Sequence, residues 1–277
     1  MTRALRSAAP LSLTIRPGLS WPRYLRHFEF VLALVAVGAL WQLISVMVNN
    51  RTLVPSPLRV LRAWVSLWGE QLPTDILASL VHLGLGYGLG IATGMVLALL
   101  AARFLLVEVI IDPIVEVLRP ISAIAWIPIA ILMFGIGRGV PIFLIFYAAT
   151  FPVFINMLAG IKQVDPRLVQ AAQMLGASRR MIVTHVVMPA ALPVILAGAR
   201  LSLGVAWMAM VAAELTGADS GLGWRIFWYQ EFFAMDKVMA VILTIGVLGY
   251  IFDSLLRATN LVASQPRTAA QELANAD

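Results

Sequence analysis

Apolar runs of about bilayer length dominate this chain and limit what it can fold into. They occupy roughly residues 28–48, 76–101, 140–159, 189–213 and 236–256. A helix needs about 20 apolar residues to cross the hydrocarbon core of a membrane. Because backbone polar groups in lipid must be paired within the chain, such runs form helices. The sequence therefore predicts an all-α integral membrane protein.

The composition supports a membrane protein and excludes several other classes. Hydrophobic residues make up 61% of the chain and charged residues 12%, whereas about a quarter of a soluble domain is charged. The net charge of +6 is spread among the loops of an apolar chain, so we expect no nucleic-acid partner. The absence of cysteine excludes disulfides and thiolate metal sites.

The first 27 residues predict a cytoplasmic basic segment. They contain five arginines and no acidic residue, and the apolar run 28–48 follows. That run has the length of a span and ends in Asn49-Asn50-Arg51, which favours an uncleaved first span over a signal peptide. With both termini in the cytoplasm, about 14 Lys and Arg lie inside and about 6 outside, which agrees with the positive-inside rule.

The next segments are interpreted as an external helix and a glycine-rich span. Trp64 and Trp68 in residues 51–75 fit an amphipathic helix at the membrane interface. The span 76–101 contains Gly84, Gly86, Gly88, Gly90 and Gly94. Small residues at this spacing allow close helix packing, and a gating hinge is the alternative.

Residues 103–135 predict a surface helix followed by a broken element. Glu108, Asp112 and Glu116 recur every four residues and share one helix face. We interpret this face as lying at the cytoplasmic surface with its acids in water or paired; a metal site or proton relay is the alternative. The apolar run 120–135 is short for a span, so it is expected to join part of the preceding helix.

The most informative segment runs from Asp165 to Pro193 and predicts two short helices joined by a tight turn. Asp165 is a suitable N-cap with Pro166 at the first helical position, and Gly176 ends the helix. Ser178 is placed to cap a second helix. Ala171 and Ala172 give the first helix a face almost without side chains, which indicates a flat docking surface.

The same segment resembles the EAA motif of permease subunits of binding-protein-dependent ABC importers, E-A-A-x3-G-x9-I-x-L-P. The matching residues are Gln170, Ala171, Ala172, Gly176, Val186, Met188 and Pro189, and every gap length agrees. Gln170 replaces the acid, which removes a charge but leaves helix packing available. The resemblance implies that this loop, residues 160–188, contains a coupling helix that sits in a groove of a separate ATPase.

Three further stretches resemble the sulfonate, taurine, nitrate and bicarbonate branch of that family. They are Leu118-Arg119-Pro120, Ala125-Trp126-Ile127-Pro128 with Phe134-Gly135-Ile136-Gly137, and Ala213-Glu214 before Gly221-Leu222-Gly223. The resemblance implies the type I importer permease fold with about six transmembrane helices, at 28–48, 76–101, 120–135, 140–159, 189–213 and 236–256. This permease domain, 28–260, is followed by a cytoplasmic polar tail, 261–277, expected to be disordered from Val262 onward.

The family resemblance also implies partners and a substrate class. A second copy of the chain, two ABC ATPase subunits that hold ATP and Mg, and a soluble periplasmic or extracellular binding protein are expected in the cell's inner, or cytoplasmic, membrane. The substrate implied is a small anion, an alkanesulfonate or taurine first, nitrate or bicarbonate next, with aromatic carboxylates a further alternative. Selectivity in such importers lies mainly in the binding protein.

Four residues are candidates for the translocation pathway: Arg200, Glu214, Trp126 and Trp207. Arg200 lies about 16 Å along a helix from Pro189, well inside the bilayer, where a cation suits an anionic substrate. Its alternatives are an internal pair with Asp112 or Glu116, or snorkelling toward the cytoplasmic surface. Glu214 ends the same span and is either a gate, a docking contact or a structural carboxylate hydrogen-bonded to neighbouring helices.

The external loop after the fifth span is rich in aromatic side chains. Trp224, Trp228 and Tyr229 are candidates for docking the binding protein, because such side chains combine a large contact area with a polar atom. An interfacial aromatic belt is the alternative, and both interpretations can hold together.

The sequence contains no set of residues that indicates catalysis. It has no G-x4-G-K-[ST] phosphate-binding loop, no H-E-x-x-H pattern and no nucleophile-base set. The chain is therefore expected to be a non-catalytic membrane subunit without a cofactor of its own. A secondary carrier or a channel subunit independent of ATP is the alternative.

Overall fold

Helices form all the regular structure that the computed structural model describes, which covers the backbone of residues 23–48, 50 and 53–274. Of the predicted basic segment 1–27, residues 1–22 lie outside the described part of the chain. The chain divides into two compact units after Asn49. The first described helix, α1 (Arg23–Val48), belongs to the first unit.

Ten α-helices and two short helical turns follow in the second unit. The first half comprises α2 (Pro57–Trp68), α3 (Leu72–Arg103), α4 (Leu105–Leu118), a 3-10 turn (Ala123–Trp126), α5 (Ile127–Phe134) and α6 (Gly139–Lys162). The second half comprises α7 (Pro166–Met174), α8 (Arg179–Ile182), a π-helical turn (Val183–Val187), α9 (Met188–Gly217), α10 (Leu222–Glu231) and α11 (Met235–Ala274).

Four helical segments in the described part of the chain are long and apolar enough to cross a membrane. They are Leu72–Arg103, Gly139–Lys162, Arg179–Gly217 and Met235–Leu255. The pair formed by α4 and residues 123–134 gives a fifth candidate, bent by 88° at its break. This bend matches the broken element predicted around 120–135. The first predicted span, 28–48, lies within α1.

Glycines on one face of α3 allow this helix to pack closely on α6. A Cβ added at Gly86, Gly90 or Gly94 would lie within 2.9 Å of atoms of α6, so only glycine permits this separation. Gly84 and Gly88 do not face α6, since a Cβ added at either position would have no atom within 4 Å. The packing interpretation is therefore confirmed for three of the five glycines, and α3 runs unbroken through all of them.

The core of the second unit is built on α3, α6 and α9. Farther along α6, Gly198 of α9 lies against Asn156, where an added Cβ would come within 2.3 Å of the Asn156 Cβ. Leu83, Ile145 and Met210, one from each of the three helices, are buried in one apolar cluster. The central helix α6 is therefore held between two neighbours by small residues and apolar contacts.

The predicted external helix forms as α2, with Val60, Ala63 and Leu67 buried on one side. Trp64 donates a hydrogen bond from Nε1 to Oγ1 of Thr244 in α11, with a distance of 3.0 Å. The prediction of disorder after Val262 is wrong as far as Ala274, because α11 continues to that residue. Alanine and glutamine in the tail have high helix propensity, which favours extension of the preceding span.

Candidate functional site

The segment after α6 forms the two capped helices that its sequence predicts. The Asp165 carboxylate accepts a hydrogen bond from the backbone N–H of Arg167 at 2.9 Å, and Ser178 accepts from that of Met181 at 3.3 Å. Gly176 has φ +79°, a left-handed conformation that favours glycine. The N–H groups of Gly176 and Ala177 then bond to the carbonyls of Gln173 and Ala172 at 3.0 Å, which is a Schellman motif.

The exposed face of α7 is more apolar and less flat than predicted. Gln170 and Ala171 are exposed and Ala172 is half-buried, as a docking surface requires. Beside them Met174 and Leu175 are 90% and 88% exposed. Two adjacent apolar side chains in open solvent indicate a surface that a partner covers. The sequence contains the signal that was missed, a Met-Leu pair within an otherwise polar helix end.

A single helical path connects this surface to the core. α8, the π-helical turn and α9 form one continuous helix, Arg179–Gly217, of 39 residues. Pro189 follows the π-helical turn; it has no N–H and its ring crowds the carbonyl four residues earlier, so a locally wider helix relieves the clash. Pro189 of the motif thus lies where the segment 165–188 continues into the long apolar helix α9.

Glu214 is fully buried, and its carboxylate contacts three polar groups on two other helices. Its carboxylate accepts from Oγ of Ser79 at 2.8 Å, from the backbone N–H of Gly223 at 3.0 Å, and it is 2.9 Å from Nδ1 of His82. A Cβ on Gly221 or Gly223 would lie within 2.6 Å of Glu214 atoms, which explains both glycines of the motif. In this structure Glu214 holds α3, α9 and α10 together.

A second buried ion pair lies at the same end of α3. Arg225 of α10 donates two hydrogen bonds to Asp75, at 2.5 and 3.1 Å, and both side chains are buried. Asp75, Ser79 and His82 were not identified from the sequence, although their spacing of four and three residues places them on one helix face. No three His, Asp or Glu side chains are placed to hold a metal ion in the part of the chain described.

Arg200 is paired within the membrane segment by a residue that the sequence analysis did not consider. Its Nε and Nη2 donate to the two carboxylate oxygens of Asp253 in α11, at 2.7 and 2.9 Å. An internal pair was one of the alternatives, but Asp112 and Glu116 are the wrong partners. Of the acids on α4, Glu108 forms an ion pair with Lys162. The metal alternative for that face finds no support among the described side chains.

Trp126 and Trp207 pack in separate places. The Trp126 ring lies 5.5 Å from that of Tyr147, and its Nε1 is buried without a hydrogen-bond partner among the described residues. Trp207 lies 5.6 Å from the ring of Phe252 in α11. Arg200 and Glu214 are 14 residues apart on α9, about 21 Å along the helix. The structure therefore does not bring the four pathway candidates into one site.

The aromatic loop forms α10 and a turn that presents phenylalanines to the surroundings. Trp224 and Trp228 stack at 5.3 Å, and Trp228 remains partly exposed. Tyr229 is only 8% exposed, and this burial raises the pKa of its phenol. A role of Tyr229 in docking would therefore be indirect, through the position of its neighbours.

Phe233 is a further exposed aromatic residue of this loop. It adopts φ +54° and is 69% exposed, directly after the equally exposed Phe232. The N–H of Ala234 bonds to the carbonyl of Tyr229 at 3.0 Å, so Phe233 occupies the position of a Schellman motif that usually holds glycine. The cost of this conformation, about 1–2 kcal/mol for a side chain with a Cβ, is not repaid by burial.

Comparisons with known proteins agree with this architecture. Residues 90–260 match the family described as binding-protein-dependent transport system inner membrane component. The taurine transport system permease protein TauC of Escherichia coli is 35% identical over 79% of this chain and 82% of its own length. A putative aliphatic sulfonates transport permease protein of Bacillus subtilis is 36% identical, over 79% of this chain and 80% of that protein.

Solved structures show the same fold at lower sequence identity. A chain of the methionine ABC transporter MetNI in an inward-facing conformation matches with a TM-score of 0.62 and 18% identity, covering 72% of this chain and 98% of that one. A chain of an amino acid ABC transporter matches with a TM-score of 0.58 and 15% identity, over 73% and 96% of the two chains. This protein therefore belongs to the inner membrane components of binding-protein-dependent transport systems, as a permease subunit of the type I ABC importer fold.

Proposed function

We propose that this permease subunit forms the translocation pathway for a small anion and is driven by a separate ATPase through residues 165–189. The observation that carries the proposal is the exposed face of α7, where Met174 and Leu175 project beside the small residues of the motif. Burial of these apolar side chains against a partner removes them from water, which lowers the free energy of the complex. The continuous helix from Arg179 into the core provides the mechanical connection.

The coupling follows from the geometry of this segment. Ala171 and Ala172 allow a groove wall to approach the helix backbone, while Met174 and Leu175 fill apolar depressions in that groove. Gln170 offers an amide in place of the family's carboxylate, so docking relies on packing and hydrogen bonds and less on an ion pair. ATP and Mg bind to the ATPase subunits, whose closure moves α7 and, with it, α8 and α9.

The complete importer comprises a pair of these chains, two ATPase subunits and a binding protein outside the membrane. Both termini lie in the cytoplasm, which the excess of Lys and Arg on that side supports. The exposed aromatic residues of α10 and its turn, Trp228, Phe232 and Phe233, lie at the opposite end from α7 and are the proposed contact for the binding protein.

The substrate is a small anion, an alkanesulfonate or taurine first and nitrate or bicarbonate next. Relatives named for taurine and aliphatic sulfonates support this order, and a nitrate import permease protein of Synechococcus elongatus is 28% identical over 89% of this chain. The specificity of the whole importer also depends on its binding protein.

A pull-down in mild detergent tests the ATPase coupling. The tagged chain is recovered from its own cells beside an Ala171→Arg variant, whose added charge lies on the exposed docking face. A Gly69→Arg variant is the matched control, because Gly69 is exposed near the opposite end and has room for a Cβ. We expect the normal chain and the control to recover a P-loop ATPase, and Ala171→Arg to lose it.

Recovery of no ATPase by the normal chain, under conditions that preserve other complexes, would contradict the proposal and favour a secondary carrier. The two classes are then separated by uptake after ATP depletion with the membrane potential held. An importer stops under these conditions, whereas a carrier driven by an ion gradient continues.

A further inference from the structure

The break between α4 and the 3-10 turn lies deep in the membrane-spanning part of the chain. Tyr147, which contacts the break, is eight residues after the start of α6, about 12 Å along its axis. Met208 beside it is nine residues before the end of α9, about 14 Å. Non-helical backbone at such depth is tolerated only where protein surrounds it or where it lines a cavity.

The break meets the second condition: residues 119–122 are exposed in the single chain and three of them line a cavity. The Tyr147 hydroxyl donates to the carbonyl of Leu118 at 2.7 Å, which pairs one of the carbonyls left free at the end of α4. Next to it lies a cavity of about 430 Å³ between α6, α9 and the break. This volume is in the range of small-molecule sites, about 300–1,000 Å³.

The lining of this cavity combines one cation and one free hydroxyl with an apolar wall. Arg119 and Ser122, on either side of Pro120, supply the polar groups. The apolar part includes Ile124, Phe151, Val205 and Met208. A few polar groups that fix orientation within an apolar lining are typical of sites for small organic ligands.

Arg119 forms no ion pair within the described residues. No carboxylate lies within 4 Å of its guanidinium there, whereas Arg200 is bound by both oxygens of Asp253. The nearest candidates for a counter-charge, Asp112 and Glu116, line a second cavity of about 290 Å³ that Arg119 also borders. An arginine at membrane depth without an ion pair is energetically costly and generally marks a ligand or ion pathway.

We propose that Arg119 and Ser122 bind the anionic head of a small organic anion in this cavity, with its short apolar tail against Phe151 and Met208. This inference rests on the proposed function and assigns its anion site to Arg119 instead of Arg200. Arginine donors match the oxygens of a sulfonate or carboxylate in bidentate geometry. The apolar wall favours an alkanesulfonate over nitrate, which has no tail to bury.

The complete absence of cysteine allows a direct test of charge in the cavity. Met208→Cys is labelled, in membranes that contain the whole transporter, with sulfonatoethyl methanethiosulfonate or its cationic trimethylammonioethyl analogue. We expect the anionic reagent to react at least tenfold faster, relative to the ratio at a Gly69→Cys control, which is exposed and has room for a side chain. Arg119→Gln is expected to abolish this preference, whereas Arg119→Lys is expected to keep most of it. Ethanesulfonate, added as a competitor, is expected to slow the anionic reagent only when residue 119 is basic.

Any one of three results would overturn the inference. They are equal rates for the two reagents, a preference that survives Arg119→Gln, and no labelling at Met208→Cys with or without ATP. The Gly69→Cys control reports whether each variant is inserted and can be reached by the reagents. Recovery of the ATPase by the same membranes tests the coupling separately, so a failure of the anion site and a failure of the proposed function give different results.

Discussion

Glu214 and His82 form a buried pair in which a carboxylate oxygen lies 2.9 Å from Nδ1 of the imidazole, and both side chains have no exposed surface. The carboxylate also binds Ser79 and the N-terminus of α10, so one side chain of α9 organises two other helices. This position fits the structural alternative for Glu214, because its carboxylate is buried and contacts groups of two neighbouring helices.

Replacement of His82 tests this arrangement. His82→Ala is expected to lower the free energy of unfolding by about 3 kcal/mol, because it leaves a buried carboxylate with one donor fewer and a cavity beside it. The measurement is thermal unfolding in detergent, with His185→Ala, at an exposed position, as the control. An unfolding temperature equal to that of the control would refute the structural role of the pair.

The close packing of α3 on α6 predicts different effects for two nearby glycines. Gly90→Ala places a Cβ 2.7 Å from that of Ala149 and is expected to cost about 1–3 kcal/mol of stability. Gly88→Ala, in the same helix, meets nothing within 4 Å and is expected to be neutral or slightly stabilising, since alanine favours helices. Thermal unfolding of both variants decides, and equal losses would count against this packing.

The apolar pair on α7 predicts a defect in association that leaves the fold intact. Met174→Ser combined with Leu175→Ser is expected to weaken binding of the ATPase at least about tenfold, since two apolar side chains no longer leave water on docking. Binding is measured by titration in detergent, and the unfolding temperature is expected to remain unchanged. Leu106→Ser on α4, also highly exposed, is the control, and an equal effect there would rule out a specific docking role.

Phe233 predicts a gain in stability accompanied by a loss of function. Phe233→Gly relieves the left-handed conformation and is expected to stabilise the fold by about 1 kcal/mol. Removal of the exposed ring is expected to weaken association with the binding protein. Phe232→Gly is the comparison, because Phe232 has φ −95° and gains nothing from glycine. Unchanged association in both variants would argue for an aromatic belt without a docking role.

Local rules predicted the coupling segment well. The caps at Asp165 and Ser178 and the turn at Gly176 depend on neighbours within a few residues, so their positions could be identified from the sequence. The exposure of Met174 and Leu175 was harder to predict, because an apolar residue in a short helix is usually buried in its own chain.

Contacts distant in sequence account for what was missed. His82 is 132 residues from Glu214, and Asp253 is 53 residues from Arg200. A single sequence shows the charge of each such group, but it does not show which opposite charge lies next to it in the fold. The glycines of α3 illustrate the same limit: the helical period separates Gly84 and Gly88 from Gly86, Gly90 and Gly94, but only the fold shows which set faces α6.

Near its C-terminal end the helix Arg179–Gly217 is attached to α3 and α10 through Glu214, in addition to its packing on α6. We therefore expect it to swing about that point, as a pivot, when the ATPase moves α7. Arg179 lies about 52 Å from Glu214 along the axis and Met208 about 9 Å. A displacement of several ångströms at Arg179 then becomes about 1 Å at the cavity, enough to change an arginine contact without opening a wide pore. Spin-label distances between α9 and α3 that change less toward Glu214 would support this motion, and a uniform shift would exclude it.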